Sequence, residues 1–256
     1  MGRLSRSFLS VLPIAFRRKI KQSLLDFCET PSNFWSFCNM RQLGFSPKFI
    51  LDVGAYKGEW TTMMSQIYPA AFFLMLEAQE ERIPDLERIK DLHPNTTDYR
   101  IALLGAEQHS SVVFHKCATA PTGCSVLQAR KSGSFLQVNR PMRTIDSILK
   151  EFGSAQPDLI KLDIQGYELE ALKGASLAME KARAILMEVS IIDMYHNNPL
   201  LHDVTVFMND RDFVAYDICA LMRRPLDMAL AQVDIIFVPR NSLLTMRKEY
   251  GIETAI

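Results

Sequence analysis

Apolar residues fall along the chain in short runs, each closed by a polar residue or a glycine, with amphipathic stretches between them. Residues 49–51 (FIL), 71–76 (AFFLML), 159–164 (LIKLDI), 182–189 (ARAILMEV) and 233–238 (VDIIFV) are too short for helices and largely continuous. Runs of this kind fit strands buried on both faces of a parallel sheet. Residues 99–104 and 112–117 read as further strands, the second expected to extend the same sheet, and 214–221 as another. Helical patterns occupy residues 59–64, 80–92, 143–149, 167–172, 201–213 and the tail from 243. Ahead of the first strand, residues 24–43 carry apolar anchors at Phe27, Phe34, Trp35, Phe37 and Met40; Pro31 interrupts them and Asn33 can cap the helix beyond it. Strands alternating with helices predict an α/β fold.

Two places along this pattern carry candidate chemistry. Residues 49–58, FILDVGAYKG, make a strand, a tight turn containing Gly54, Ala55 and Gly58, and the start of a helix. That is the nucleotide-binding corner of an open α/β sheet, where glycine lets the backbone turn and approach a ligand. The spacing is G-x-x-x-G, so the G-x-G-x-x-G fingerprint of nicotinamide enzymes is not met. The next strand ends in Glu77, about 20 residues on, the position from which an acid holds ribose hydroxyls. The second place is the tip of the strand at 159–164. Lys161, Asp163 and Gln165 share one face there, because strand side chains alternate. Buried charge without partners is costly, so this tip is expected to floor a polar pocket. Glu188 lies beside Asp163 if their strands are neighbours, and the pair can share a proton, a metal or a substrate hydroxyl. Asp193, Tyr195, His196 and Asn197 come next in a loop, and residues 118–133 form a glycine- and proline-containing loop at the rim of the site.

Length and composition narrow the choices. The 256 residues suffice for one large α/β domain, and 48% apolar residues mark a globular chain. We divide it into a basic, helical extension over 1–44, a main domain over 45–242 and a tail over 243–256. Twenty-nine basic and 29 acidic residues give no net charge, which removes the electrostatic case for nucleic-acid binding. Five scattered cysteines without C-x-x-C support neither a zinc site nor a disulfide framework, and fit reduced thiols in the cytoplasm. The first 25 residues are basic and free of acids before Asp26. Their apolar run at 8–16 is too short to span a bilayer and lacks a secretory cleavage pattern. An ordinary helix or frayed arm, a transit peptide and a basic helix lying on a membrane all fit.

Several segments together resemble the FkbM-type S-adenosylmethionine-dependent methyltransferases. They are ILDVGAYKG, FFLMLEA, TIDSIL, DLIKLDIQGYELEALKG, ILMEVS and QVDIIFVPR, in order, across residues 45–242. The resemblance implies a Rossmann-like class I methyltransferase: a mostly parallel seven-stranded sheet, its last strand antiparallel, flanked by helices. It implies S-adenosylmethionine at the C-terminal edge, with Asp52, Gly54, Ala55 and Gly58 at the turn, Glu77 on the ribose and Asp163 at the cofactor–substrate junction. Glu168 and Glu188 match positions the family retains. Many members have Pro at Ala78, and many have Glu at Gln165. The expected reaction is methylation of a hydroxyl on a sugar or small metabolite. Asp163 is the first choice of base, with Glu188 and His196 behind it, and a divalent metal on Asp163 and Glu188 is the other way to lower the hydroxyl pKa. The competing reading is a catalytically silent module that binds the cofactor and serves as a scaffold.

Overall fold

A computed structural model describes residues 31–117, 121–130 and 135–246. The readings made for residues 1–25, and for most of the tail, lie outside them. The described residues from Asn33 onward form one compact unit. Its elements run α1 (Asn33–Gln42), β1 (Phe49–Val53), α2 (Glu59–Ile67), β2 (Phe72–Glu77), α3 (Ile83–Leu92), β3 (Thr97–Ile101), β4 (Leu103–Leu104), β5 (His109–Cys117), β6 (Phe135–Arg143), α4 (Ile145–Leu149), β7 (Leu159–Leu162), α5 (Glu168–Lys173), α6 (Ser176–Lys181), β8 (Ala184–Ser190), α7 (Leu201–Asn209), β9 (Phe213–Arg223), β10 (Leu230–Pro239) and α8 (Leu243–Met246).

Seven strands make the main sheet in the order β3-β2-β1-β7-β8-β10-β9. The first five are mutually parallel, and β10 runs antiparallel to both neighbours. The architecture is thus a mostly parallel, Rossmann-like α/β sheet whose last strand in sequence is reversed, as the resemblance implies. The strand order switches direction between β1 and β7, and in open α/β sheets ligands bind beyond the carboxyl ends of the strands at that point.

The apolar runs form strands because both faces are covered. Leu51, Val53, Leu74, Ile160, Leu162, Ile185 and Met187 pack against α4, α5, α6 and α7. Ile50, Phe73, Leu159, Leu186 and Ile236 face the other way, onto Phe37 and Met40 of α1 and Met64 and Ile67 of α2. Asp52 and Lys161 fall on this second face, because they alternate with Leu51 and Ile160. Thr144 caps α4 by accepting a bond from the Ser147 N–H at 3.1 Å.

One expectation is corrected. The strand at 112–117 does not extend the main sheet. It is part of β5, which pairs antiparallel with β6 in a separate three-stranded sheet ordered β4-β6-β5. The strand β6 has no counterpart among the strands expected from the sequence. Helix α7 is also shorter than its pattern suggests, since Phe213 already begins β9. The small sheet packs Leu103, Phe114, Cys117 and Met142 around Cys124. Ion pairs Lys116–Glu81 and Arg140–Glu80 tie it to the turn of 3-10 helix at Glu80–Arg82.

Helix α1 belongs to the main core. Phe37 is fully buried and meets Trp60 edge-on at 6.1 Å between ring centroids. Phe37→Ala is expected to cost about 3–5 kcal/mol through lost burial and the cavity left behind. Urea denaturation followed by circular dichroism measures it; a loss under ~1 kcal/mol would mean that α1 is dispensable to the core.

Candidate functional site

Beyond the carboxyl ends of β1, β2, β7 and β8 lies a cavity of about 990 Å³. That is at the upper end of the range for small-molecule sites, with room for two ligands side by side. The main sheet supplies its floor. The small sheet supplies one wall through Phe114, Cys117 and Phe135, and the loop at 192–195 supplies another.

The turn after β1 forms one end. Gly54 and Ala55 donate their N–H groups to the Leu76 carbonyl at 2.9 and 3.1 Å. Gly54 sits at φ +78°, and a Cβ there would overlap the Asp163 backbone carbonyl, so the two strand ends cross with nothing between them. Glu77 is nearly buried; its Oε2 accepts the Tyr56 N–H at 2.7 Å and its Oε1 the Gln79 N–H at 2.9 Å. Burial raises its pKa, while those N–H groups and Lys161 pull the other way. Each oxygen keeps a further acceptor position for a ligand hydroxyl. Gly54, Ala55 and Glu77 line the cavity.

Asp52 and Gly58 do not line it, for identifiable reasons. Asp52 is fully buried on the sheet face under α2. Its Oδ2 accepts the Thr61 hydroxyl at 2.7 Å, and its Oδ1 lies 3.2 Å from Lys161 Nζ. The same ammonium donates to the Gly54 carbonyl at 2.9 Å and lies 3.7 Å from Asp163 Oδ2. Burial pushes the Lys161 pKa down, but Asp52, Asp163 and Glu77 outweigh it and the net shift is upward. Gly58 turns its Cα toward Ile89 of α3, at φ +70°, and starts α2.

The tip of β7 makes the centre. Registers β7–β8 and β8–β10 set Asp163, Glu188 and Asp234 side by side at the sheet edge. Gln165 holds the first two apart: its Nε2 donates to Asp163 Oδ1 at 3.0 Å and to Glu188 Oε1 at 2.8 Å. The Tyr195 hydroxyl fixes that amide by donating to its Oε1 at 2.8 Å, and Gln232 gives Glu188 Oε1 a second donor at 2.6 Å. Burial first, then the charges of Asp163, Glu168 and Asp234, push Glu188 well above the usual carboxylate range. Asp163 keeps a side chain 41% exposed, and it lines the cavity. Gln165 and Gly166 both adopt positive φ, +59° and +93°, and buried Glu168 secures this turn by accepting from the Ile164 and Gly166 N–H groups at 2.8 and 3.1 Å.

Asp163 and Glu188 are therefore brought together, as their strand positions allow. His196 is not brought to them: it is exposed, does not line the cavity, and donates its backbone N–H to the Gln128 carbonyl. Two participants are not evident from the sequence. Tyr195 reads there only as a loop residue. Gln232 gives no sign beyond its alternation with Asp234 on an otherwise apolar strand. For a dication the donor set fits poorly. The Gln165 amide already bridges the two carboxylates, and among the described residues no group of three His, Cys, Asp or Glu could hold a metal ion.

Two substitutions probe these contacts. Lys161→Met strands Asp52 as a buried charge and is expected to destabilise the fold by about 3–5 kcal/mol, read by urea denaturation. Burial pushes the Glu168 pKa from 4.5 up to about 7. Between those values the folded chain binds the extra proton, so stability falls as pH rises through that window, by at most about 3 kcal/mol. Glu168→Gln keeps an acceptor for both N–H groups and is expected to flatten this part of the stability–pH curve. An unchanged slope would assign it to another group.

No curated protein matches the chain in sequence. Among solved structures it is similar to a methyltransferase FkbM from Methylobacillus flagellatus KT, at 19% identity and TM-score 0.49, over 74% of this chain and 43% of that one. A precorrin-6y C5,15-methyltransferase from Geobacter metallireducens GS-15 is similar at 11% identity and TM-score 0.43, over 78% and 84%. An O-methyltransferase family protein from Burkholderia thailandensis is similar at 9% identity and TM-score 0.45, over 80% and 55%. The chain thus spans less than half the length of the first of these. In sequence, the methyltransferase FkbM domain matches residues 52–215, from the buried Asp52 through the glycine turn, Glu77, Asp163 and Glu188 into β9. With well over half of its length in that match, the chain belongs to the FkbM methyltransferase-domain family.

Proposed function

We propose that the chain is an S-adenosylmethionine-dependent methyltransferase that methylates a hydroxyl of a sugar or small metabolite. The observation that carries this reading is the cavity wall on which the Gly54–Ala55 turn, Glu77 and Asp163 meet. When bound, S-adenosylmethionine supplies a methyl group on a sulfonium, open to in-line displacement. Glu77 has acceptor positions left for the ribose hydroxyls. The glycine turn leaves room for backbone to approach the methionine part.

The remaining work falls to residues around Asp163. Catalysis of this displacement is mainly alignment of the acceptor oxygen with the methyl group. Asp163 is the base: it faces the cavity and accepts the hydroxyl proton as the new bond forms. Glu188 has its Oε1 already engaged by the Gln165 and Gln232 amides, which leaves Asp163 the better placed of the two for that role. It acts instead, with Gln165, to fix where Asp163 points. Lys161 balances the charge on Asp163 from behind. Among the described residues no helix is long and apolar enough to cross a membrane.

Calorimetric titration of S-adenosylmethionine and S-adenosylhomocysteine tests the cofactor site. Micromolar binding is expected, weakened about 10- to 100-fold by Glu77→Gln through loss of a charged hydrogen-bond acceptor. Failure of a folded sample to bind either ligand would overturn the reading. On an acceptor found by screening hydroxylated sugars and metabolites, Asp163→Asn is expected to lower kcat about 10²- to 10⁴-fold. Cofactor binding with no methyl transfer to any acceptor would favour the scaffold reading.

A further inference from the structure

The walls of the cavity differ in character from its floor. The floor around Asp163 is polar: Gln165, Glu188, Gln232 and the Tyr195 hydroxyl converge there. Going outward, the β9–β10 hairpin takes over. Met222 pairs with Gln232 across the strands, so its side chain stands beside Gln232 on the face that carries Glu188. Beyond it the hairpin turns at residues 224–229, and Met222, Arg224 and Leu226 line the cavity mouth, opposite Ile192 and Met194.

This hairpin displays apolar side chains in water. Leu226 is 83% exposed and Met222 46%, and both line the cavity; Met228, 61% exposed, follows in the turn, while Leu221 and Ile218 pair with Val233 and Ile235 on the opposite face of the sheet. Single exposed apolar residues are ordinary, but Met222 and Leu226 stand at the rim of a cavity whose lining also holds Ile192 and Met194, and apolar side chains so placed mark a surface that meets something apolar. The tip is also held in shape. Arg224 grips Asp227 through two bonds of 2.8 and 2.7 Å, Asp227 Oδ1 accepts the Ala229 N–H at 3.0 Å, and Arg223 donates to the Met228 carbonyl at 3.0 Å. The fixed turn holds Leu226 and Met228 out where water alone would not favour them.

We infer that the acceptor is amphiphilic: a hydroxylated head seated at Asp163, Gln165 and Glu188, joined to an alkyl or aryl body that leaves the cavity along Met222 and Leu226. The inference rests on the methyltransferase reading and narrows its acceptor class. A free sugar would satisfy the floor and leave the apolar mouth in water. An alkyl or aryl glycoside, or a hydroxylated lipid, would cover both. The gain comes from apolar area removed from water, and so grows with the length of the apolar part.

The test compares methyl β-D-glucoside with octyl β-D-glucoside, the latter kept below its micelle-forming concentration. Each is titrated calorimetrically into protein saturated with S-adenosylhomocysteine. The octyl compound is expected to bind at least ten-fold more tightly. The double variant Met222→Asp, Leu226→Asp is expected to bring the two probes within about two-fold, with S-adenosylhomocysteine affinity reporting that it is folded. Leu177→Asp, on α6 and away from the cavity, serves as the surface control and is expected to keep the full difference. Equal affinities in the unaltered protein would overturn the inference and leave the cofactor site standing. So would a difference that survives in the double variant or is lost equally in Leu177→Asp. Absence of S-adenosylhomocysteine binding would overturn the methyltransferase reading, and the inference with it.

Discussion

One buried ammonium orders the C-terminal edge of the sheet. Lys161 rises from the middle of β7 on a face otherwise apolar, and a charge placed there must be compensated on the spot. Asp52 of β1 does so, itself held by Thr61 of α2. The other partners of the ammonium are Asp163 and the Gly54 carbonyl, and the latter contact orients the turn that leaves β1. With that turn fixed, the backbone at Gly54 lies against the Asp163 carbonyl so closely that no side chain fits. The glycine turn and Asp163, at two ends of the cavity, are thereby set at a distance determined by main-chain contact, not by flexible side chains. Catalysis that depends on alignment needs this kind of rigidity.

Around Asp163 the design problem is different, since three carboxylates stand in a row at the edge of the sheet. Adjacent negative charges in a poorly solvated place raise one another's pKa, and two of the three are shifted upward. Asp234 is steadied by an amide, the Asn33 side chain at 2.8 Å. Glu188 has two amides, from Gln165 and Gln232. Amides can donate to a carboxylate without adding charge, whether it is ionised or neutral, which suits a row of closely spaced acids. A Glu at position 165 would place a third acid against Asp163 and Glu188. The substitution to Gln replaces repulsion with two hydrogen bonds. It also makes the amide, with Tyr195 behind it, the natural determinant of the orientation of Asp163.

The sequence made the doubly covered strands visible and hid the contacts between them. The cores of β1, β2, β7 and β8 read clearly because burial on both faces leaves little room for polar interruption. The small sheet was not legible in the same way. Its strands are exposed on one side, so polar residues alternate irregularly, and β6 contains Pro141 next to Arg140. The ladder tolerates that proline because the register between His109 and Val112 is broken there. Asp52 illustrates the other difficulty. An acid at the end of an apolar strand beside a glycine turn looks ligand-facing, yet its partner Lys161 lies 109 residues away and only the β1–β7 register brings them opposite each other. His196 lies off the cavity for a different reason. It comes immediately after Tyr195, but the loop presents Tyr195 to the cavity and His196 to water. Proximity in sequence determined the neighbourhood and not the side.

The cavity divides by the kind of element that builds it. Its half at the glycine turn is made of strand ends and tight turns whose positions follow from ladder registers and from Lys161. Its outer half is made of the β9–β10 hairpin, the loop at 192–195 and the described loop at 121–130, which Ser125 ties to the Gln165 carbonyl at 2.8 Å. Changes in the first group disturb backbone contacts shared by several strands and are strongly destabilising. Changes in the second alter side chains at a mouth with few structural obligations, and are tolerated. On the proposed reading, a fold divided this way keeps one chemistry at Asp163 while Met222 and Leu226 of the hairpin select among acceptors. On that reading, exposing those side chains costs free energy that a ligand with a matching apolar surface recovers by covering them, so the same residues would discriminate among ligands.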